Sequence, residues 1–381
     1  MMELHDDIRD VFRAVRLGWM GKKIWAGLLG LSLSYVGYSV LVVIAHLSAG
    51  TSASELWHHY GLFPGARLGE FGIWGSSLHL LGMVWVVLVL QMATCMICNM
   101  TYHQLRGDDF YAIGDAWQFV KTHGSSAVFG PLYVLALFAC FLISGMILGW
   151  VCGVIPGLGE WAFAMVFIPI FFVALLAVFT GLVFWVSALL SPAIVGTVGE
   201  DALEVVIQSF SLTWSQPWRL VLSGIVLGIS VCVGFALATA FSMMALWLIT
   251  WACGLFMDVK LANMFDVASR YLLLQPRRWH VILANLPAIG VPSWTERMGG
   301  RLLGGMLAGI TGMLLAYALS VYGSGLSVMY VVLRKCKDGE RLLERDVKTE
   351  GGITNMIGDS APVETPLGKE TQNDTIDPKT T

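Results

Sequence analysis

Charged side chains are scarce in this sequence, and long stretches contain none. Asp, Glu, Lys and Arg make up 13% of the 381 residues, whereas 56% are hydrophobic. That balance lies outside the range of soluble globular domains. Each uncharged run is long enough to cross about 30 Å of hydrocarbon as a helix. The runs are 24–46, 72–102, 125–158, 161–199, 220–257 and 302–333.

The runs also lack the alternation of apolar and polar residues that strands of a membrane barrel show. Only helices and closed barrels satisfy every backbone polar group in lipid. The sequence therefore predicts an all-α polytopic membrane protein with six transmembrane helices in three hairpins.

The distribution of Lys and Arg predicts the orientation, because the richer side stays in the cytoplasm. More basic residues fall on the cytoplasmic side if both termini are inside. Two short passes within 220–257 would leave this balance unchanged, but no Pro, Asn, Asp or Gly interrupts the middle of that run. One long helix is favoured, which makes 258–301 an outer loop.

Three amphipathic segments precede alternate spans. In each, apolar residues recur at the three- and four-residue intervals of one helix face, which predicts an interfacial helix before each hairpin. The apolar residues are Ile8, Val11, Phe12, Val15 and Trp19 in the first segment, Ile113, Ala116, Trp117 and Val120 in the second, and Leu203, Val206, Ile207, Phe210 and Trp214 in the third.

The recurrence of these segments suggests an internal repeat with units 1–102, 103–199 and 200–336. The alternative is that any amphipathic helix before a span aligns in this way, because the stripe is generic. The membrane domain is predicted to cover 1–336, and the polar residues 337–381 are predicted to form a disordered cytoplasmic tail.

Basic residues and tryptophans predict where the chain contacts lipid headgroups. Each basic residue near the surface attracts anionic lipid by up to about 1 kcal/mol, and tryptophan favours the membrane interface. The predicted interface residues are Arg9, Arg13, Arg16, Trp19, Trp214 and Trp218. The predicted partner is the lipid bilayer, including anionic lipids, and nucleic acid is not expected.

Glycines at four-residue spacing predict close helix packing, because they let two backbones approach. They are Gly145, Gly149 and Gly153 in the third run, Gly224 and Gly228 in the fifth, and Gly305 and Gly309 in the sixth. The triple in the third run is predicted to form a tight internal contact.

Two groups of side chains are candidate metal ligands. Cys95, Met96, Cys98 and His103 are soft or imidazole ligands that suit copper, and His46 and His79 could converge on a metal. Thiols and thioethers also pack as apolar side chains, and this interpretation is favoured. We therefore predict no metal and no cofactor, and the absence of any recognisable catalytic motif disfavours an enzyme.

Two stretches carry a resemblance to known proteins. They are "EDALEVVIQSFSL" before the fifth run and "SVMYVVLRKCKDGE", which contains Tyr330, Leu333, Arg334, Asp338 and Gly339. They resemble a family of six-helix bacterial inner-membrane proteins and, more distantly, the membrane domain of glycerophosphoryl diester phosphodiesterases. The resemblance implies a six-helix fold and an inner-membrane location, and it carries over no active site.

These observations favour a non-enzymatic membrane protein that organises the membrane or binds lipids or partners at the cytoplasmic face. The alternative is a permease or export component for a lipid-like or weakly charged substrate. Coupled ion transport is disfavoured, because the sequence places no charge deep within a span. Membrane-protein partners and a homo-oligomer both remain open.

Overall fold

In the computed structural model, every regular element of the described residues is a helix. The structure describes residues 14–52, 55–56, 60, 64–65, 72–108, 110–154, 157–271 and 290–338. The helices are α1 (Ala14–Leu17), α2 (Gly21–Ser48), α3 (Ile73–Leu105), α4 (Ile113–Val154), α5 (Leu158–Met165), α6 (Phe167–Val198), α7 (Ala202–Ser215), α8 (Pro217–Met257), α9 (Val259–Tyr271) and α10 (Trp294–Asp338).

Six of these helices are long and apolar enough to cross a membrane: α2, α3, α4, α6, α8 and α10. The chain is therefore an all-α polytopic membrane protein, as the sequence predicts. Helix α8 is continuous over 41 residues, or about 60 Å at 1.5 Å per residue. The prediction of one long helix in this region, rather than two short passes, is confirmed.

The spans form three antiparallel hairpins. In the α2–α3 hairpin, Gly30 lies against Ala93. In the α4–α6 hairpin, the Ser191 hydroxyl donates a hydrogen bond to the Ala127 carbonyl over 2.8 Å. In the α8–α10 hairpin, Leu227 lies against Gly325. The internal repeat of three units stays a prediction, because the pairing of neighbouring spans does not test it.

Much of the bundle surface is apolar. Helix α4 is the clearest case, since Met146 is 74% exposed and Trp150 is 70% exposed. A soluble protein rarely carries such a continuous apolar surface. In a bilayer the same surface contacts lipid tails at no cost, which is consistent with the transmembrane assignment.

Helix α3 lies at the centre of the bundle, and its residues 93–102 are all buried. Its polar side chains and backbone bond to two neighbouring helices. The Asn99 amide donates to the Gly196 carbonyl of α6 over 3.0 Å, and the Ser327 hydroxyl of α10 donates to the Cys98 carbonyl over 3.0 Å. These bonds give the Asn99 amide nitrogen and the Ser327 hydroxyl a hydrogen-bond partner in the protein interior.

The three amphipathic segments have different structures. Of the first, only 14–19 lie within the described residues. The second is not a separate helix, because α4 runs from Ile113 to Val154 without a break. The expectation of an interfacial helix before every hairpin is therefore wrong for this segment. The amphipathic segment instead forms the first turns of the helix that contains the third span.

The third segment is the separate helix α7, which packs against α4 and α6. Its predicted stripe is largely exposed, for example at Leu203, Ile207 and Trp214. The opposite side is buried, and Val205 lies against Gly130 of α4. An apolar stripe that faces outward is suited to contact with lipid, while the opposite side, with Val205, Gln208, Ser209 and Leu212, is buried against the protein interior.

The predicted outer loop 258–301 contains more helix than expected. Helix α9 packs Leu261 and Phe265 against Leu307 of α10, and α10 begins at Trp294 rather than near residue 302. Ser293 and Glu296 form a capping box, in which Glu296 accepts a hydrogen bond from the Ser293 amide over 3.0 Å. Residues 272–289 and the predicted tail from 339 onward lie outside the described residues.

Candidate functional site

The glycines that were predicted to mediate helix packing do not do so within the described part of the chain. A Cβ atom built at any of them meets no neighbouring atom within 4 Å. These positions are Gly145, Gly149, Gly153, Gly224, Gly228, Gly305 and Gly309. The tight internal contact predicted for the α4 triple is therefore wrong for the described helices, because none of their atoms comes within 4 Å of a Cβ built at these positions.

Close approach occurs at other glycines. A Cβ on Gly196 would stand 2.7 Å from the Cys98 Cβ and 2.8 Å from the Cys95 carbonyl oxygen. A Cβ on Gly323 would stand 2.8 Å from the Ile97 side chain. Both glycines face the central helix α3, so α6 and α10 contact it closely from two directions. The four-residue spacing did not identify them, because neither has a glycine four residues away.

A buried lysine joins the start of the chain to the bundle core. Lys23 is 1% exposed. Its Nζ donates to the Leu17 carbonyl over 3.1 Å, to Gln104 Oε1 over 2.7 Å and to the Ser324 hydroxyl over 3.4 Å. In the sequence this charge directly precedes the first uncharged run. The structure uses it to hold α1, α3 and α10 together.

The cysteine and methionine candidates lie in this same core. Cys95 and Cys98 are fully buried, and the Cys98 thiol donates to the Gly323 carbonyl over 3.2 Å. His103 instead stacks on Tyr111, with ring centroids 3.9 Å apart. Among the described residues, no group of three or more His, Cys, Asp or Glu side chains could hold a metal ion. The arrangement suits helix packing, the interpretation that the sequence favoured.

The two histidine candidates are buried between α2 and neighbouring segments. The His46 ring lies 3.0 Å from the Gly65 carbonyl through Nε2 and contacts Tyr60. The His79 ring meets Tyr38 edge to face at 6.0 Å. These contacts are those of histidines packed among helices, and they are not those of a shared metal site.

The C-terminal end of α10 carries a second charged contact. Arg334 Nη1 lies 3.3 Å from Glu200 Oε1 and donates to the Tyr330 hydroxyl over 2.8 Å. This contact joins the corner between α6 and α7 to α10. Glu200 belongs to the acidic start of the third amphipathic segment, so at least one of its acids has a structural role.

An apolar cleft is bounded by α1, α2, α8 and α10 and has a volume of about 880 Å³. Small-molecule sites in proteins typically have about 300–1,000 Å³. Helix α8 lines the cleft from Gly234 to Ser242, about 12 Å of helix. Leu237, Phe241 and Met313 line it and are exposed, so the cleft opens on the apolar flank of the bundle.

Polar side chains lie at one end of this cleft. Arg16 and Trp19 line it from the start of the chain, and Tyr317 lines it from α10. The Trp19 and Tyr317 rings meet edge to face, with centroids 5.1 Å apart. Among the described lining residues, Arg16 is the sole charged side chain. The cleft is therefore amphipathic along its length, with a basic aromatic end and an apolar body.

The predicted interface residues divide into three groups. Arg16 and Trp19 line the cleft and are exposed. Trp214 and Trp218 are also exposed, and Trp214 meets Phe179 of α6 edge to face at 5.6 Å. Arg9 and Arg13 lie outside the described residues. Sequence reasoning missed Tyr317, for which no local pattern signals a role.

A second apolar cleft of about 610 Å³ lies between α4 and α6. Gly145 and Pro169 contribute to its walls, together with Phe138 and Phe141. Its described lining contains no charged side chain. It can therefore accept an apolar chain, but it offers no group that would distinguish one lipid headgroup from another.

Comparison with other proteins gives no relative from which a function could be transferred. The chain matches no protein-family model, no curated protein and no solved structure.

Proposed function

We propose that this integral membrane protein is a non-enzymatic lipid-binding protein of the bacterial inner membrane, and that the cleft between α2, α8 and α10 holds a membrane lipid. The observation that carries the proposal is the 880 Å³ apolar cleft that opens on the flank of the bundle and ends at Arg16. No catalytic role is assigned to any residue.

The position of the cleft favours a lipid as its occupant. An unfilled apolar space loses van der Waals contacts on one side, and lipid tails are the most abundant apolar groups beside a transmembrane helix. Transfer of a tail from bilayer to cleft gains little hydrophobic free energy, because both surroundings are apolar. Retention of one lipid therefore depends on packing and on contacts with its headgroup.

Filling the cleft tests this function. Phe in place of Ala238, which lines the cleft on α8, should lower the amount of lipid that copurifies with the protein. Phe in place of Ala236, which is exposed on the same helix and outside the lining, should leave it bound. Native mass spectrometry of the full chain in mild detergent measures the bound lipid. Met313→Trp gives a second cleft variant at an exposed position.

Equal lipid retention in the two Phe variants would contradict the proposal. A change in oligomeric state with Ala238→Phe, without loss of lipid, would instead assign the cleft to a second copy of the chain. The alternative function, a permease for a lipid-like substrate, predicts transbilayer movement of a labelled lipid in vesicles that contain the protein. The lipid-binding function predicts retention without such movement.

The proposed orientation has both termini in the cytoplasm. Cys336 is exposed near the end of α10, whereas Cys95 and Cys98 are buried. With Cys140, Cys152, Cys232 and Cys253 replaced by serine, a membrane-impermeant maleimide should label Cys336 only after the membrane is opened. A cysteine introduced in place of Lys260 should be labelled in intact spheroplasts. The reverse pattern would contradict the orientation.

A further inference from the structure

The basic end of the cleft presents a group suited to a phosphate. Arg16 is exposed and lines the cleft, and a guanidinium group can donate two parallel hydrogen bonds to phosphate oxygens. The described lining contains no acidic side chain. An anion at this end therefore meets a positive charge without an opposing carboxylate from the lining.

A tyrosine hydroxyl lines the same cleft. Tyr317 is 5% exposed as a residue and lines the cleft, and its hydroxyl does not belong to the enclosed polar atoms of the described residues. A hydroxyl that is open to the cleft can donate a hydrogen bond to a ligand there. The contact with Trp19 fixes the Tyr317 ring.

Gly234 of α8 packs closely against the Tyr317 hydroxyl. A Cβ at this position would stand 3.3 Å from the Tyr317 hydroxyl oxygen and 3.6 Å from Val15. The close approach places the hydroxyl beside the first residue with which α8 lines the cleft. Beyond Gly234, α8 continues along the apolar body of the cleft through Leu237 and Phe241.

The order of these groups matches the order of groups in a phospholipid. Arg16 lies at the basic end, the Tyr317 hydroxyl lies beside Gly234, and the apolar body follows. From its polar end inward, a phospholipid has its headgroup phosphate, then its ester carbonyls, then its acyl chains. Because a Tyr hydroxyl can donate and a carbonyl can only accept, the two groups are complementary.

We propose that the cleft selects an anionic phospholipid, with Arg16 bound to the headgroup phosphate and the Tyr317 hydroxyl donating a hydrogen bond to an acyl ester carbonyl. This inference rests on the lipid-binding function proposed above. A zwitterionic lipid also carries a phosphate, but its ammonium group meets no acidic partner in the described lining. The cleft therefore recognises the phosphate and also favours a lipid whose headgroup has a net negative charge.

The headgroup test uses the purified full chain with equal amounts of phosphatidylglycerol and phosphatidylcholine. Native mass spectrometry gives the ratio of the two bound lipids. Arg16→Ala should lower the preference for phosphatidylglycerol about fivefold, the change expected from one basic residue near the membrane surface. Arg16→Lys should retain most of the preference, because the charge remains.

The matched control is Arg219→Ala, since Arg219 is exposed at the start of α8 and does not line the cleft. This variant should keep the wild-type ratio. An equal fall in both alanine variants would overturn the inference, because it would assign the preference to the overall charge of the protein.

The carbonyl contact has a separate test. Tyr317→Phe should weaken binding of an ester-linked phosphatidylglycerol about two- to tenfold, the range for one hydrogen bond. It should not weaken binding of the ether-linked analogue, which has no carbonyl at that position. Equal weakening of both lipids would overturn the assignment of Tyr317.

Failure of this inference can be distinguished from failure of the proposed function. If lipid is displaced by Ala238→Phe but shows no headgroup preference in the wild type, the cleft binds lipid and the selection is wrong. If Ala238→Phe displaces no lipid, both the lipid-binding function and the selection are wrong.

Discussion

Replacement of Lys23 by methionine is expected to lower the free energy of unfolding by about 2–4 kcal/mol. The change removes the Nζ donor from the Leu17 carbonyl, Gln104 Oε1 and the Ser324 hydroxyl. A buried acceptor that loses its donor costs about 1–3 kcal/mol. Methionine carries no charge, so the variant avoids the desolvation cost of burying an ammonium group. This gain offsets part of the loss. Unfolding in mixed detergent micelles, followed by tryptophan fluorescence, measures the effect.

The neighbouring lysine provides the control. Lys22 has the same charge and length but is only partly buried, and its Nζ lies 3.4 Å from the Tyr111 carbonyl. Lys22→Met should change the free energy of unfolding by less than about 1 kcal/mol. Similar losses in the two variants would show that loss of positive charge near the membrane surface matters more than the buried contacts of Lys23.

Alanine at Gly196 is expected to destabilise the protein by about 1–3 kcal/mol, and leucine by more. A Cβ at this position collides with the Cys95 carbonyl and the Cys98 Cβ of α3. Moving backbone atoms of the central helix α3 costs free energy, so the extra methyl group pushes α6 and α3 apart. Separation also weakens the 3.0 Å hydrogen bond from Asn99 to the Gly196 carbonyl.

The comparison position is Gly149, which belongs to the glycine triple of α4 and has open space around a built Cβ. Gly149→Ala should be neutral or slightly stabilising, because alanine has the better helix propensity. The same detergent unfolding measurement serves both positions. Greater destabilisation at Gly149 than at Gly196 would contradict the assignment of the interior contacts.

The length and apolarity of the spans made the six-helix architecture predictable. Hydrocarbon thickness sets a minimum helix length, and this constraint acts on each span separately. The absence of a turn residue in the middle of 220–257 also predicted the single helix α8. Both features depend on local sequence, so they need no knowledge of which helices touch.

The interior contacts could not be predicted in the same way. Glycine spacing shows which face of a helix could be approached, but the partner decides whether that face is used. Gly145 and Gly149 have the favourable spacing and no close neighbour among the described residues, whereas Gly196 and Gly323 pack against α3. The burial of Lys23 is likewise a tertiary effect, because it depends on Gln104 and Ser324 from distant parts of the chain.

The candidate site was visible in the sequence only in part. Arg16 and Trp19 were predicted to contact lipid, because a basic residue and a tryptophan before a span favour the interface. Their position at the end of a cleft depends on how α8 and α10 pack beside α2. Tyr317 and Gly234 enter the site for the same reason, since they are distant in sequence and meet only in the fold.

Photo-crosslinking from inside the cleft tests the lipid-binding account most directly. A photoreactive amino acid in place of Ser242, at the apolar end of the cleft, should capture a phospholipid in intact membranes by its acyl chain. Prior introduction of Ala238→Phe should reduce that capture, and the same amino acid in place of the exposed Ala236 should be insensitive to the Phe substitution. Capture at Ser242 that Ala238→Phe leaves unchanged would contradict the account.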